Sequence, residues 1–197
     1  ATIELCDALD TLEGQQFISA SADELPPLLH ACGQAYEAGD AFAEALAAYA
    51  RFRSEFPEHG LASEVEAAFV RATLAETDAS GAGSLPPPQA TGAGTGAAGQ
   101  ATVVIQNDAP DRLNMVFSGP DVRVEELEAC ADCIEFTGNG PDECPDKGPV
   151  GEYVVAPGTY EVVVKSGTVG NIIPFRGTWT LEAGDEYFSC FYIVTDQ

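Results

Sequence analysis

Six cysteines carry most of the chemistry this chain could do: Cys6, Cys32, Cys130, Cys133, Cys144 and Cys190. Cys130 and Cys133 form a C-x-x-C pair, and with Cys144 and Cys190 they could offer zinc four thiolates. A zinc ribbon needs a second close pair, however, and Cys144 and Cys190 stand 46 residues apart. Thioredoxin-like redox work needs a βαβ setting that the flanking residues do not supply. Cys133 is followed by Ile134 and not His, which excludes covalent haem attachment. Disulfides are the better use of these thiols. The count is even, with two in the first half and four in the second, so each half can pair its own. Of the three pairings open to the second half, the expected one joins Cys133 to Cys144 locally and Cys130 to Cys190 at long range. No metal and no cofactor is expected.

The other titratable residues form no catalytic set. His30 and His59 both lie in the first half, outside any Ser-His-Asp or H-E-x-x-H context. Glu125, Glu126 and Glu128 are expected on a strand. Asp142, Glu143 and Asp146 share a turn-rich loop with Asn139, where oxygens could surround Ca²⁺, but the twelve-residue EF-hand pattern is absent. A solvated acidic loop is the expectation there. No carboxylate pair marks a glycosidase cleft. Trp179 alternates with Phe175 and Leu181, so it is expected inside a sandwich and not on a sugar-stacking surface. With no nucleophile beside a base, the chain is expected not to be an enzyme.

These residues must be positioned by two different kinds of structure. Residues 1–78 read as helical. Ile3, Cys6, Leu9 and Leu12 recur every third position. A second helix is expected over 24–38, capped by Asp23, with Pro26 and Pro27 in its first turn. Gly39-Asp40 should end it and cap the third. Phe42, Ala45, Leu46, Tyr49 and Phe52 form the apolar face of that third helix, which Pro57 and Gly60 end. Leu61, Val65, Ala68, Phe69 and Ala72 form the face of a fourth. Residues 79–101 are rich in Gly, Ala, Ser, Thr and Pro, carry no charge, and contain Pro86, Pro87 and Pro88; by composition they are a linker. Residues 102–197 alternate apolar and polar positions, as at Val103 and Ile105, at Leu113, Met115 and Phe117, and at Tyr160, Val162 and Val164. Turn signals at Gly119-Pro120, Gly138 to Pro141, Pro157-Gly158 and Gly184-Asp185 separate them. Seven or eight short strands predict an antiparallel β-sandwich. The fold class is thus two-domain α + β, a helical-hairpin bundle followed by a sandwich.

The order Leu29-x-x-Cys32-Gly33-x-x-Tyr36, Ala45-x-x-x-Tyr49 and Pro57 resembles one tetratricopeptide repeat. Gly33 and Ala45 would let two antiparallel helices approach, with Tyr36 and Tyr49 filling the space beside them. The stretch GDAFAEALAAYARFRSEFPEHG is similar to repeats of bacterial envelope proteins that organise outer-membrane assembly and the Tol system. Cys32 and Phe52 depart from the usual Leu and Ala, and Gly39 falls one residue early. A Cys6–Cys32 disulfide would tie the first helix to the repeat. The segment APGTYEVVVKSG resembles a hairpin of prealbumin-like and carboxypeptidase-regulatory-like modules of secreted proteins. The whole cysteine-bearing domain also resembles C-terminal domains of bacterial envelope proteins that have no assigned activity.

The charge sharpens the class. The chain has 32 Asp and Glu against 8 Lys and Arg, a net −24. Residues 1–78 hold 15 acids and 3 bases, residues 102–197 hold 17 and 5, so each half carries −12. Such a surface repels phosphate backbones and anionic lipid, so neither nucleic acid nor a membrane surface is an expected partner. No apolar run approaches the roughly 18 residues of a membrane span. The acid excess suits a salty milieu; a GC-rich genome would give a similar composition. The cysteine usage and the absence of a signal-like start at Ala1 read as a mature extracytoplasmic product, periplasmic, cell-surface or secreted.

The expected role is a protein–protein interaction or assembly subunit of a larger envelope, surface or fibre-like complex, including self-assembly. The last strand carries that expectation. Phe188, Cys190, Tyr192 and Val194 should face one way and Tyr187, Phe191 and Ile193 the other, so both faces are apolar. Tyr187, Phe191 and Ile193, with Tyr36 and Tyr49 of the repeat, are the candidate interface residues. The alternative is a carbohydrate- or ligand-binding module using Tyr187, Phe191 and Tyr192 as stacking residues. A strand-swapped polymer through 101–107 is a further possibility.

Overall fold

The computed structural model describes residues 3–9, 22–93, 99–167 and 173–195. The chain divides into two compact units, residues 1–80 and 81–197. Leu12, expected to continue the first helix face, lies outside the described residues.

The first unit is a packed set of helices: α1 (Ile3–Ala8), α2 (Leu25–Ala38), α3 (Phe42–Glu55) and α4 (Ala62–Ser80). Pro26 and Pro27 fall in the first turn of α2, where a missing N–H costs nothing. Asp23 does not cap α2. It lies in a 3₁₀ turn, Ala22–Glu24, and Glu24 occupies the cap position without a side-chain bond. Gly39 ends α2 as expected, but Asp40 turns into the left-handed region (φ 56°) and leaves the cap of α3 to Ala41. Cys6, Leu25, Leu29, Cys32, Ala45, Tyr49, Phe52, Val65, Ala68 and Ala72 form the core. A Cβ at Gly33 would overlap the Tyr49 ring, so only glycine lets α2 and α3 meet there. Cys6–Cys32 joins α1 to α2, and the Tyr36 hydroxyl donates to Asp7 at 2.6 Å across the same seam.

The second unit is a sandwich of mostly antiparallel sheets. Its strands are β1 (Gly83–Ser84), β2 (Gln89–Ala93), β3 (Ala101–Asn107), β4 (Leu113–Ser118), β5 (Val122–Leu127), β6 (Phe136–Thr137), β7 (Val150–Val155), β8 (Gly158–Ser166), β9 (Phe175–Leu181), β10 (Asp185–Phe191) and β11 (Val194–Thr195). One sheet runs β1-β9-β8-β4-β5, the other β2-β10-β3-β7, and β11 pairs with β6. Three pairs are parallel: β1 with β9, β10 with β3, and β11 with β6. The inward positions that alternation marked meet in one core, including Val103, Ile105, Met115, Phe117, Tyr160, Val162, Val164, Trp179 and Leu181. Trp179 is fully buried and packs edge-on to Phe117, with ring centroids 6.0 Å apart.

The uncharged segment is not a free spacer. Residues 83–93 belong to the sandwich, with β1 on the edge of one sheet and β2 on the edge of the other. Leu85, between them, is buried in the core, and the Trp179 Nε1–H donates to the Pro86 carbonyl at 3.0 Å. The composition is that of a linker because a strap needs bends and lies against partners far along the chain. It does not alternate long enough to read as a strand.

Candidate functional site

β10 is central in its sheet, bonded to β2 on one edge and to β3 on the other. Tyr187 and Phe191 turn into the sandwich. Tyr187 is buried, and its hydroxyl accepts the Glu182 N–H at 2.9 Å, while Phe191 packs against the core from its margin. The expected single last strand is broken. β10 stops at Phe191, and after Tyr192-Ile193 the chain starts β11 in a different small sheet. The break is where Asp108 and Phe136 take the main chain over: the Phe191 carbonyl accepts the Asp108 N–H at 2.8 Å and the Ile193 carbonyl the Phe136 N–H at 2.9 Å.

Beside this break lies an apolar groove of about 580 Å³. Ser84, Leu85 and Pro86 line the wall on the β1 side, where Phe175 pairs with Gly83; Ser189 through Thr195 line the wall on the β10–β11 side, and Ile173 also borders the groove. Ile173 (62% exposed), Phe175 (43%), Tyr192 (37%) and Val194 (42%) are large apolar side chains left open to solvent around this one opening. Grouped exposure of this kind marks an interaction site far better than single exposed residues do. A narrower extension shares Phe175, Phe191 and Ile193 and continues to Asp111, Arg112 and Lys165. Tyr192 is fixed by an edge-on contact with Phe136, with centroids 5.8 Å apart.

The cysteines stand behind the groove in a pairing that corrects the sequence expectation. Cys144 bonds Cys190, and Cys130 bonds Cys133. The turn after Cys130 brings the Cys133 N–H back to the Cys130 carbonyl and the two Cα atoms to 5.3 Å, so the local partner is the nearer cysteine. Sheet pairing decides the rest. Cys190 lies opposite Gln106, next to the end of β3, and the acidic loop is drawn to that point by Asp108. Asp108 is fully buried and accepts the backbone N–H groups of Asp146 (3.0 Å), Lys147 (2.9 Å) and Gly148 (2.6 Å). Its oxygens also touch Cys144 and Cys190 at 3.2 and 3.5 Å, but a disulfide sulfur has no proton to donate, so these are packing contacts. Asp108 and the four cysteines are close enough to suggest ligation, yet each sulfur is spent on a disulfide, and the carboxylate is saturated by main-chain donors. Asp142, Glu143 and Asp146 lie on the loop that this carboxylate anchors. Asp108 is the residue that sequence reading missed; one Asp among 32 acids has no local signature.

The remaining sites are structural. Tyr49 is fully buried, and its hydroxyl donates to Glu37 at 2.6 Å. Burial first, and that bond second, push its pKa well above the ordinary tyrosine value. Arg71 of α4 grips the same Glu37 at 2.8 and 3.0 Å, so one carboxylate joins α2, α3 and α4. Tyr36 lines a smaller groove of about 270 Å³ with Leu29, Ala48 and Arg51. His59 Nδ1 accepts the Leu61 N–H, and His30 lies beside Gln34. Glu125 and Glu126 are on β5, with Glu128 just past its end. β3 is paired on both edges within its own chain. No described helix is long and apolar enough to cross a membrane. Three disulfides suit an oxidising compartment. No family model matches the chain, and no curated protein is similar to it.

Proposed function

We propose that this protein is a non-enzymatic, extracytoplasmic interaction subunit of a larger envelope, surface or fibre-like assembly, and that the sandwich groove is its principal contact surface. The observation that carries the reading is the ring of exposed Ile173, Phe175, Tyr192 and Val194 around one cleft. A solvent-facing surface with this much acid gains nothing by leaving four large apolar side chains together unless something covers them. The backing is rigid, because Cys144–Cys190 and the Asp108 bonds hold the wall in place. The α2–α3 hairpin, read as tetratricopeptide-like, adds a second and smaller surface at Tyr36. Light scattering and mass spectrometry of native material test the proposal. A copurifying partner or a defined assembly, lost in Tyr192→Glu, is the expected result. A monodisperse monomer with no partner overturns it.

The ligand-binding alternative retains one supporting observation, the exposed Tyr192 ring held by Phe136. Tyr187 is buried and offers no stacking face. A glycan array probed with the full chain distinguishes the two readings, since binding sensitive to Tyr192→Ala favours the alternative.

A further inference from the structure

Resting on that reading, we infer that the groove receives an extended polypeptide strand of another protein, bound through its main chain and flanked by basic residues. The two walls leave particular backbone groups open. In β1 the N–H groups of Gly83 and Leu85 donate to Pro174 and Arg176, both at 2.8 Å. Successive residues of a strand turn their peptide groups to opposite edges, so those of Ser84 point away from β9. On the other wall the Phe191 carbonyl is taken by Asp108, which places the peptide groups of Phe191 and Ser189 toward β3 and those of Cys190 toward the opposite edge. Among the described residues, strand pairing on that edge ends at Phe188 with Gln89. The reason is in the sequence. Pro86, Pro87 and Pro88 precede Gln89, and without N–H groups they cannot carry the ladder on to Cys190.

Ser84 and Cys190 both line the groove. Among the described residues, the cleft therefore has an open main-chain donor and acceptor on each wall and apolar side chains between. A lipid tail or a flat aromatic ligand would fill the apolar part but leave those peptide groups without partners. An extended strand answers both features: its backbone bonds to the walls, and alternate apolar side chains enter the cleft.

Charge selects the strand. The sandwich unit holds 17 acids and 5 bases. Of these bases, Arg112 is held by Glu126 and Glu128, Arg123 by Glu125, and Arg176 by Glu161; Lys165 lines the groove's extension together with Asp111, and Lys147 lies on the loop that Asp108 anchors. The exposed Glu135 precedes β6, which pairs with the groove residue Val194. A strand with Lys or Arg on its flanks is attracted to this surface. A second copy, itself at −24, is repelled.

The test titrates the full chain with fluorescein-labelled Lys-Lys-Val-Thr-Val-Thr-Val-Lys-Lys and reads anisotropy at physiological salt. The same peptide with Glu in place of every Lys should bind at least about tenfold more weakly, and raising the salt should weaken the Lys form. N-methylation of the peptide's central amides should abolish binding, because it removes the main-chain donors while keeping the side chains. Tyr192→Glu, at an exposed position, should do the same with an unchanged circular dichroism spectrum. In ¹⁵N spectra the Ser84 and Cys190 amides should shift on binding. Equal binding of the N-methylated peptide overturns main-chain recognition, and equal binding of the Glu form overturns the charge selection. A dimer in sedimentation that Tyr192→Glu dissolves makes a second copy the occupant and overturns the inference. If neither peptide binds while native material still carries a partner, this inference fails and the assembly reading stands.

Discussion

In the helical unit, each element packs on the next one along the chain, α2 on α3 and α3 on α4, and the side-chain bond from Arg71 to Glu37 spans 34 residues. In the sandwich, the strap at 83–93 is held by strands that come more than 90 residues later: Gly83 pairs with Phe175, and Pro86 accepts from Trp179 at a separation of 93. Both units use a buried aromatic, a disulfide and a shared carboxylate. They differ in how far apart the joined parts are. That distance decides where a binding surface can arise. Neighbouring helices leave only a smaller groove beside Tyr36, whereas two sheets closed by a short, proline-rich strap leave a wider part of the seam open. That open part is the groove.

Experiments can separate the two units. The largest effect is expected for Trp179→Ala, which removes a fully buried ring and the bond to Pro86. It should cost about 4 kcal/mol, and hydrogen exchange should quicken first at Leu85 and β9. If exchange there is unchanged, the strap does not depend on this contact. Replacing Cys6 and Cys32 together with Ser opens a loop with a sequence separation of 26. The expected loss is about 3 kcal/mol in denaturant unfolding of the helical signal, with Tyr36 and Asp7 left to hold α1. Asp108→Asn replaces an acceptor of three main-chain donors with a group whose amide half can accept none. About 2 kcal/mol should be lost, and exchange at Asp146 to Gly148 should rise. Gly33→Ala forces a methyl against Tyr49 and should cost about 2 kcal/mol, felt only in the helical unit.

The smallest effect comes from pH. Tyr49 in the helices and Tyr153 and Tyr160 in the sandwich all have pKa values raised above the ordinary 10.0, first by burial. A raised pKa means that the folded state keeps its proton longer. The stability this gives is complete below pH 10 and is lost as pH climbs through the folded values. Thermal melts should be flat toward pH 10 and fall above it, and Tyr49→Phe should soften the fall in the helical signal. An unchanged fall would place the alkaline sensitivity elsewhere.

Much of the fold was legible because its signals are local. Every third residue from Ile3 to Leu9, the prolines opening α2, and the alternation at Val103, Met115 and Tyr160 each report on neighbours a few positions away. The two-domain α + β class follows from them, as does the pairing of Cys6 with Cys32, the only two cysteines in the helical half. The disulfide pairing in the sandwich, the strap, the break at Tyr192 and the role of Asp108 were not legible. Each depends on which distant strands lie side by side. A proline-rich, uncharged segment reads alike whether it floats or is bonded to β9 and β10, and an aspartate reads alike whether solvated or buried under three N–H groups.

The amino-acid sequence by itself thus determined the element types, the acidic surface and the readiness to form disulfides, because propensity, charge and thiol count are properties of residues and near neighbours. Only the tertiary structure decided that Ser84 and Cys190 face one cleft with Phe175 and Tyr192. Sheet register sets which peptide groups find partners, and here the partners of one edge run out at three prolines that are distant from Cys190 along the chain.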